Sequence, residues 1–149
     1  MYHRGQRGPG AISALGSFLA ASQSMRHLYL SGCGIRGEAS LLSLLKPADK
    51  SALLHLDLSF NPLSERAVVS ALAPAMSLLE GGGFLQLQSL CLAGCGLGDR
   101  AARALAALLS SPNALRALRL DDNAIGLDGG AALATAMASD EFQVRQFST

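Results

Sequence analysis

The sequence predicts an α/β solenoid, a stack of strand-loop-helix units with parallel strands on one face and helices on the other. Three observations predict it: an apolar pattern that recurs four times, its near-constant period, and helical spacing between the copies. The pattern is an apolar residue, two others, an apolar residue, one other, an apolar residue, two others, Asn or Cys, one other, and an apolar residue. The first copy is Met25, Leu28, Leu30, Cys33 and Ile35, and the second is Leu53, Leu56, Leu58, Asn61 and Leu63. The third is Leu87, Leu90, Leu92, Cys95 and Leu97, and the fourth is Leu115, Leu118, Leu120, Asn123 and Ile125. From Leu28 to Leu56 to Leu90 to Leu118 the steps are 28, 34 and 28 residues.

Each part of the pattern has a physical reason. The Leu-x-Leu alternation is a short strand, its leucines pointing inward and the residues between them outward. The Asn or Cys falls where the chain leaves the strand, and a buried side chain there must satisfy backbone groups that have no ladder partner. Stacked copies place Cys33, Asn61, Cys95 and Asn123 in one row.

Between strands the spacing turns helical. Ala102, Leu105, Ala106 and Leu109 share a helix face, with Asp99 as the expected N-cap. A matching segment starts at Asp128 and carries Leu133 and Met137. The second unit's helix holds Val68, Val69, Leu72 and Met76, and Pro74 should kink or shorten it. The first unit's helix, around Leu41, Leu42, Leu44 and Leu45, stops before Pro47.

Residues 1–10 are read as an irregular N-terminal tail, and 11–149 as the repeat domain. Arg4, Arg7 and the small apolar run Ala11–Ala21 resemble a secretory signal. The repeat phase accounts for the same residues better, because Ala11, Leu15 and Phe18 fall on Ala101, Leu105 and Leu108 without a gap. Residues 11–24 are therefore expected to be a half repeat, followed by full repeats from about 25, 53, 87 and 115. Residues 142–147 are expected to begin a fifth strand. The six extra residues of the second repeat fall at Ser77–Phe84, where three glycines interrupt any helix. That insertion reads as a tolerated surface bulge or as a rim loop that touches a partner.

The stretches LLHLDLSFNPL, LQSLCLAGCGLGDRAARALAALL and LRALRLDDNAIGLDGGAAL resemble the ribonuclease-inhibitor-like class of leucine-rich repeats. The class includes ribonuclease inhibitor, the sensor regions of NOD-like receptors and the activator of the Ran GTPase. The resemblance covers roughly residues 11–147. It implies a right-handed leucine-rich-repeat horseshoe with strands on the concave face, helices on the convex face, and a protein as partner.

Residues between the inward leucines should line the concave face in three columns, with strands roughly 5 Å apart. The first column is His27, His55, Ser89 and Ala117, and the second is Tyr29, Asp57, Cys91 and Arg119. The third is Ser31, Ser59, Ala93 and Asp121. The candidate partner-binding residues are His27, Tyr29, Ser31, His55, Asp57, Ser59, Cys91, Arg119 and Asp121. Tyr29 and Arg119 are residue types enriched in binding hot spots.

Catalytic readings fare poorly. His27, His55 and Asp57 offer two imidazoles and a carboxylate, but no further strong zinc ligand stands beside them. Cys91 with His55 would be a nucleophile and base on a rigid sheet without a pocket, so Cys91 is expected to be a plain exposed thiol. The glycines around Cys33 and Cys95 lack the lysine and context of a phosphate loop. The chain is expected to be no enzyme and to need no cofactor or metal.

With 12 Lys plus Arg against 11 Asp plus Glu, the net charge of +1 does not point to nucleic acid. No apolar run reaches the about 18 residues that span a bilayer, so no membrane partner is expected. Three cysteines without a C-x-x-C spacing suggest a reducing cytoplasmic or nuclear compartment. The leading function is a protein-interaction scaffold in an intracellular sensor or adaptor. The alternative is GTPase activation resembling the Ran activator; ribonuclease inhibition would favour a more acidic chain. Both ends of the array look uncapped, which predicts self-association through them.

Overall fold

A computed structural model describes residues 9–45, 52–76, 86–111, 114–138 and 146–148. The tail before Pro9, the 77–84 insertion and residues 142–145 of the expected fifth strand lie outside them. Five three-residue strands, β1 (His27–Tyr29), β2 (His55–Asp57), β3 (Ser89–Cys91), β4 (Ala117–Arg119) and β5 (Gln146–Ser148), form one parallel sheet in chain order. The register repeats the sequence pattern: Leu28, Leu56, Leu90 and Leu118 stand opposite one another, and Phe147 takes the next place beside Leu118. The fifth strand thus lies one residue later than a strict period, which would put Gln146 there.

Helices return the chain to each strand. They are α1 (Pro9–Ala21), α2 (Gly37–Leu45), α3 (Glu65–Ala67), α4 (Ala73–Met76), α5 (Asp99–Leu109) and α6 (Leu127–Met137). α1 takes in Pro9 and Gly10, two residues assigned above to an irregular tail; proline suits a first helical turn because its missing N–H would have no partner there. Pro74 does not end its helix. Val68–Leu72 between α3 and α4 widens into a π-turn, in which the Ala73 N–H reaches the Val68 carbonyl. The wider turn sits where the proline ring would otherwise meet the carbonyl four residues back.

The core is one leucine stack between sheet and helices. Leu53, Leu56 and Leu58, Leu87, Leu90 and Leu92, and Leu115, Leu118 and Leu120 are all buried. Met25, Leu28 and Leu30 of the first repeat are only half-buried, because β1 has no described strand on its outer side. Helices pack closely through small residues. A Cβ added at Gly129 would come within 2.8 Å of the Ala102 Cβ, and one at Gly16 within 2.5 Å of the Leu44 carbonyl oxygen.

Two sets of side chains tie each repeat to its neighbour. Asn61 Oδ1 accepts from the Cys33 and Ile35 N–H groups at 3.1 and 3.0 Å, and Nδ2 donates to the Leu30, Leu58 and Ser59 carbonyls. Asn123 repeats the pattern on Cys95 N, Leu97 N and the Leu92, Leu120 and Asp121 carbonyls. Cys95 bridges the middle junction, its thiol donating to Leu58 O at 3.2 Å. Burial pushes that thiol up, which keeps the proton on sulfur as the donor. Cys33, expected to be buried in the same row, is half-exposed, because no described turn stacks outside it.

The second set crosses the helix layer. Asp99 is the first residue of α5 rather than its cap; the cap position is Gly98, which has no side chain to offer. The Asp99 carboxylate instead accepts from Gly126 N and Gly129 N at 2.7 and 3.0 Å, capping α6 of the next repeat. Glu65, one repeat earlier, caps α5 in the same way through Arg100 N and Ala101 N. A carboxylate at a helix N-terminus satisfies free donors and meets the positive end of the dipole.

Asn61→Ala should strip partners from several buried backbone groups across the first junction. It is expected to lower the unfolding free energy by about 3 kcal/mol in urea titrations, and Glu65→Ala by about 1 kcal/mol. Equal small effects of the two would contradict the ladder's role.

Candidate functional site

The open face of the sheet is the candidate site, and strand register builds its columns. His27, His55, Ser89 and Ala117 align, as do Tyr29, Asp57, Cys91 and Arg119. At the β1 end the rings cluster: Tyr29 and His55 have centroids 5.1 Å apart, and His27 and His55 6.0 Å. His55 Nδ1 lies 2.7 Å from Ser89 Oγ, which continues the polar row onto β3. His27, Tyr29 and Arg119 are exposed, whereas His55, Asp57 and Asp121 are partly covered.

Two candidates prove inaccessible. Cys91, expected as an exposed thiol, is 7% exposed. It lies in register between the larger Asp57 and Arg119, which cover it. Ser59 is buried as well, with its hydroxyl engaged by Asp57 and by Ser31 Oγ at 3.0 Å. Both shape the floor from beneath rather than offering contact atoms. Arg119 pairs with Asp121 two residues on, so the β4 end presents a guanidinium already oriented by a carboxylate.

Ionisation sharpens the contrast along the face. Burial pushes the Asp57 carboxyl up, but hydrogen bonds from the Ser59 hydroxyl and N–H and from Cys91 outweigh it, and the group sits below its ordinary range. Desolvation lowers His55; Asp57 pulls it back up and His27 lowers it further, leaving the net shift downward. At neutral pH the face therefore carries neutral imidazole at His55 between an anion and aromatic surface. Among the described residues, no group of three or more His, Cys, Asp or Glu side chains could hold a metal ion.

One exposed residue escapes the column reading. The turn position after the third column is Gly32, Phe60, Gly94 and Asp122, all left-handed, with φ of 64°, 56°, 62° and 57°. A bulky phenylalanine is costly there. Its ring is largely exposed on the rim and lies against Gly94, where an added Cβ would come within 2.4 Å of a ring carbon. Glycines at the matching positions of two copies were the available signal.

The fold defines the class: the chain is a leucine-rich-repeat solenoid. The Leucine Rich repeat family model matches residues 21–39, 87–106 and 112–134, which contain β1, β3 and β4 with their turns. The second repeat falls outside these matches, yet β2 pairs in register between β1 and β3. No curated protein matches the chain. Leucine-rich repeats generally mediate protein-protein interaction, and domains built from them are typically binding modules without catalysis. No helix among the described residues is long and apolar enough to cross a membrane.

The two titrations have defined signs. A histidine whose folded value is lowered contributes stability that is lost as pH falls from its ordinary value of 6.5 through the folded one. The Asp57 contribution is present above 3.8 and lost as pH falls through its own lower folded value. NMR titration should place His55 below 6.5, and Asp57→Asn should lower it further by removing the attracting charge. An upward move in that variant would contradict the electrostatic arrangement.

Proposed function

We propose that the chain is a protein-interaction module that holds its partner on the concave strand face and adjacent rim turns, within a longer repeat array of an intracellular sensor or adaptor. The observation that carries this reading is the Tyr29, His55 and His27 cluster on an open sheet, facing Arg119 across the small side chains of β3. Three strand intervals separate Tyr29 from Arg119, about 14 Å at the usual spacing. Aromatic and guanidinium groups held by neighbours lose little freedom on binding, so their contacts convert efficiently into affinity.

Area shapes the proposal. A stable interface takes roughly 800 Å² from each partner. With Cys91 and Ser59 withdrawn from the surface, the strand face alone is small. The rim supplies the remainder, and exposed Phe60 is the side chain best placed to do so. A left-handed phenylalanine kept on the surface fits a contact residue whose strain is tolerated for its position.

Affinity capture with the wild-type chain and with a Tyr29→Ala/Arg119→Ala variant should identify proteins that depend on this face. For such a partner each single substitution, and Phe60→Ala, is expected to weaken Kd by about tenfold. Arg103→Ala on the helix side should leave Kd unchanged. Equal affinity in the concave variants would overturn the proposal, and stimulated GTP hydrolysis by the Ran GTPase would favour the regulatory alternative.

A further inference from the structure

Nearly every carboxylate among the described residues is already committed. Glu38 and Asp128 pair with Arg66 and Arg103 on the helix side, and Asp121 pairs with Arg119. Glu65 and Asp99 cap the helices of the repeats that follow them. Asp57 accepts from the Ser59 N–H and hydroxyl. Asp122 is the exception. It is exposed, and no ion pair among the described residues engages it.

Asp122 stands in one row with Phe60. The turn after each strand continues the ladder, since Phe60 N–H donates to Ala93 O and Gly94 N–H to Asp121 O. The row therefore runs Gly32, Phe60, Gly94 and Asp122, all with left-handed φ. Turns of this chain fill both positions beside Phe60, so its 58% exposure belongs to the interior of the stack. Gly94 puts no side chain between Phe60 and Asp122. Phe60 Cδ1 and Cε1 occupy the space a Gly94 Cβ would need, so the ring leans over Gly94 on the Asp122 side. Two strand spacings, about 10 Å, separate the two backbones, and the leaning ring narrows that opening.

Glycine would hold these turns at less cost. Phenylalanine is sterically penalised in the left-handed region, and aspartate is penalised more mildly. Neither side chain is buried, so core packing does not offset the strain. On either side of a bare glycine they present an aromatic face and an uncommitted anion. That combination suits a guanidinium, whose plane stacks on a ring while its N–H fork meets a carboxylate. The chain does not supply the cation from Arg119, which Asp121 holds.

We propose that the rim between the second and fourth repeats receives an arginine side chain of the protein partner, its guanidinium stacked on Phe60 and paired with Asp122. The assignment rests on the protein-interaction reading above and gives the rim a chemistry. It also gives the rim a preference, because lysine would bring the charge without the stacking plane.

The test titrates the whole chain with N-acetyl-arginine amide, followed by amide NMR, and uses N-acetyl-citrulline amide as the neutral isostere. Arginine is expected to move the Phe60, Gly94 and Asp122 signals progressively, and citrulline to move them about fivefold less. Phe60→Gly and Asp122→Asn each remove one half of the receptor and leave a residue that tolerates the left-handed turn. Each should cut the arginine response about threefold at equal probe concentration, with signals elsewhere in the chain unchanged. If Phe60→Gly disturbs those signals, Phe60→Leu removes the ring face while keeping an apolar side chain. Equal responses to the two probes, movement confined to Tyr29 and Asp57, or variants that respond like the wild type would each overturn the proposal. Those outcomes would leave the concave-face reading standing, because capture with the Tyr29→Ala/Arg119→Ala variant tests it separately.

Discussion

The structure depends on satisfying backbone groups where each chain segment leaves its strand. Three-residue strands supply few ladder bonds, so the turns that follow would strand several buried N–H and C=O groups in an apolar stack. Asn61 and Asn123 answer this with a carboxamide that both accepts and donates, each meeting groups of its own repeat and of the one before. Among the described residues, no buried side-chain nitrogen or oxygen lacks a partner. Without that arrangement the leucine stack would carry a polar penalty at every repeat, of about 1–3 kcal/mol for each orphaned group.

The three junctions reach this end differently. Asparagine joins the first repeat to the second and the third to the fourth, while a thiol joins the second to the third. A thiol is a weaker donor and cannot gather two N–H groups. The middle junction is reinforced elsewhere, by the Glu65 cap on α5 and by the Phe60 ring seated on Gly94. The last junction combines the Asn123 ladder with the Asp99 cap, and an exposed Arg103–Asp128 pair adds little. In a solenoid, stability is close to a sum of such nearest-neighbour terms, so each junction adds its own mix of ladder, cap and ring contacts.

Local periodicity made the strands, the leucine core and the Asn/Cys row legible, because each is dictated by residues a few positions apart. The features that escaped it depend on neighbours about 28 residues away or on geometry no pattern encodes. Asp99 reads as a cap for its own helix; only the stacked repeat shows its carboxylate aimed at Gly126 and Gly129. Pro74 reads as a kink or an early end, and only the stacked structure shows that a widened turn takes it in. Cys91 occupies an outward column and is still buried, because outward is not the same as exposed when the flanking side chains are longer. Among the candidate site residues, the register of the first two columns was recoverable and accessibility only in part.

The close helix contacts at Gly129 and Gly16 also govern the shape of the candidate face. A solenoid bends because its strands stack about 4.8 Å apart while packed helices usually need about 8–10 Å. Pairing glycine with alanine, or with a bare carbonyl, shortens the outer circumference and opens the arc. Those contacts therefore work against bending, by bringing the helix spacing nearer to that of the strands.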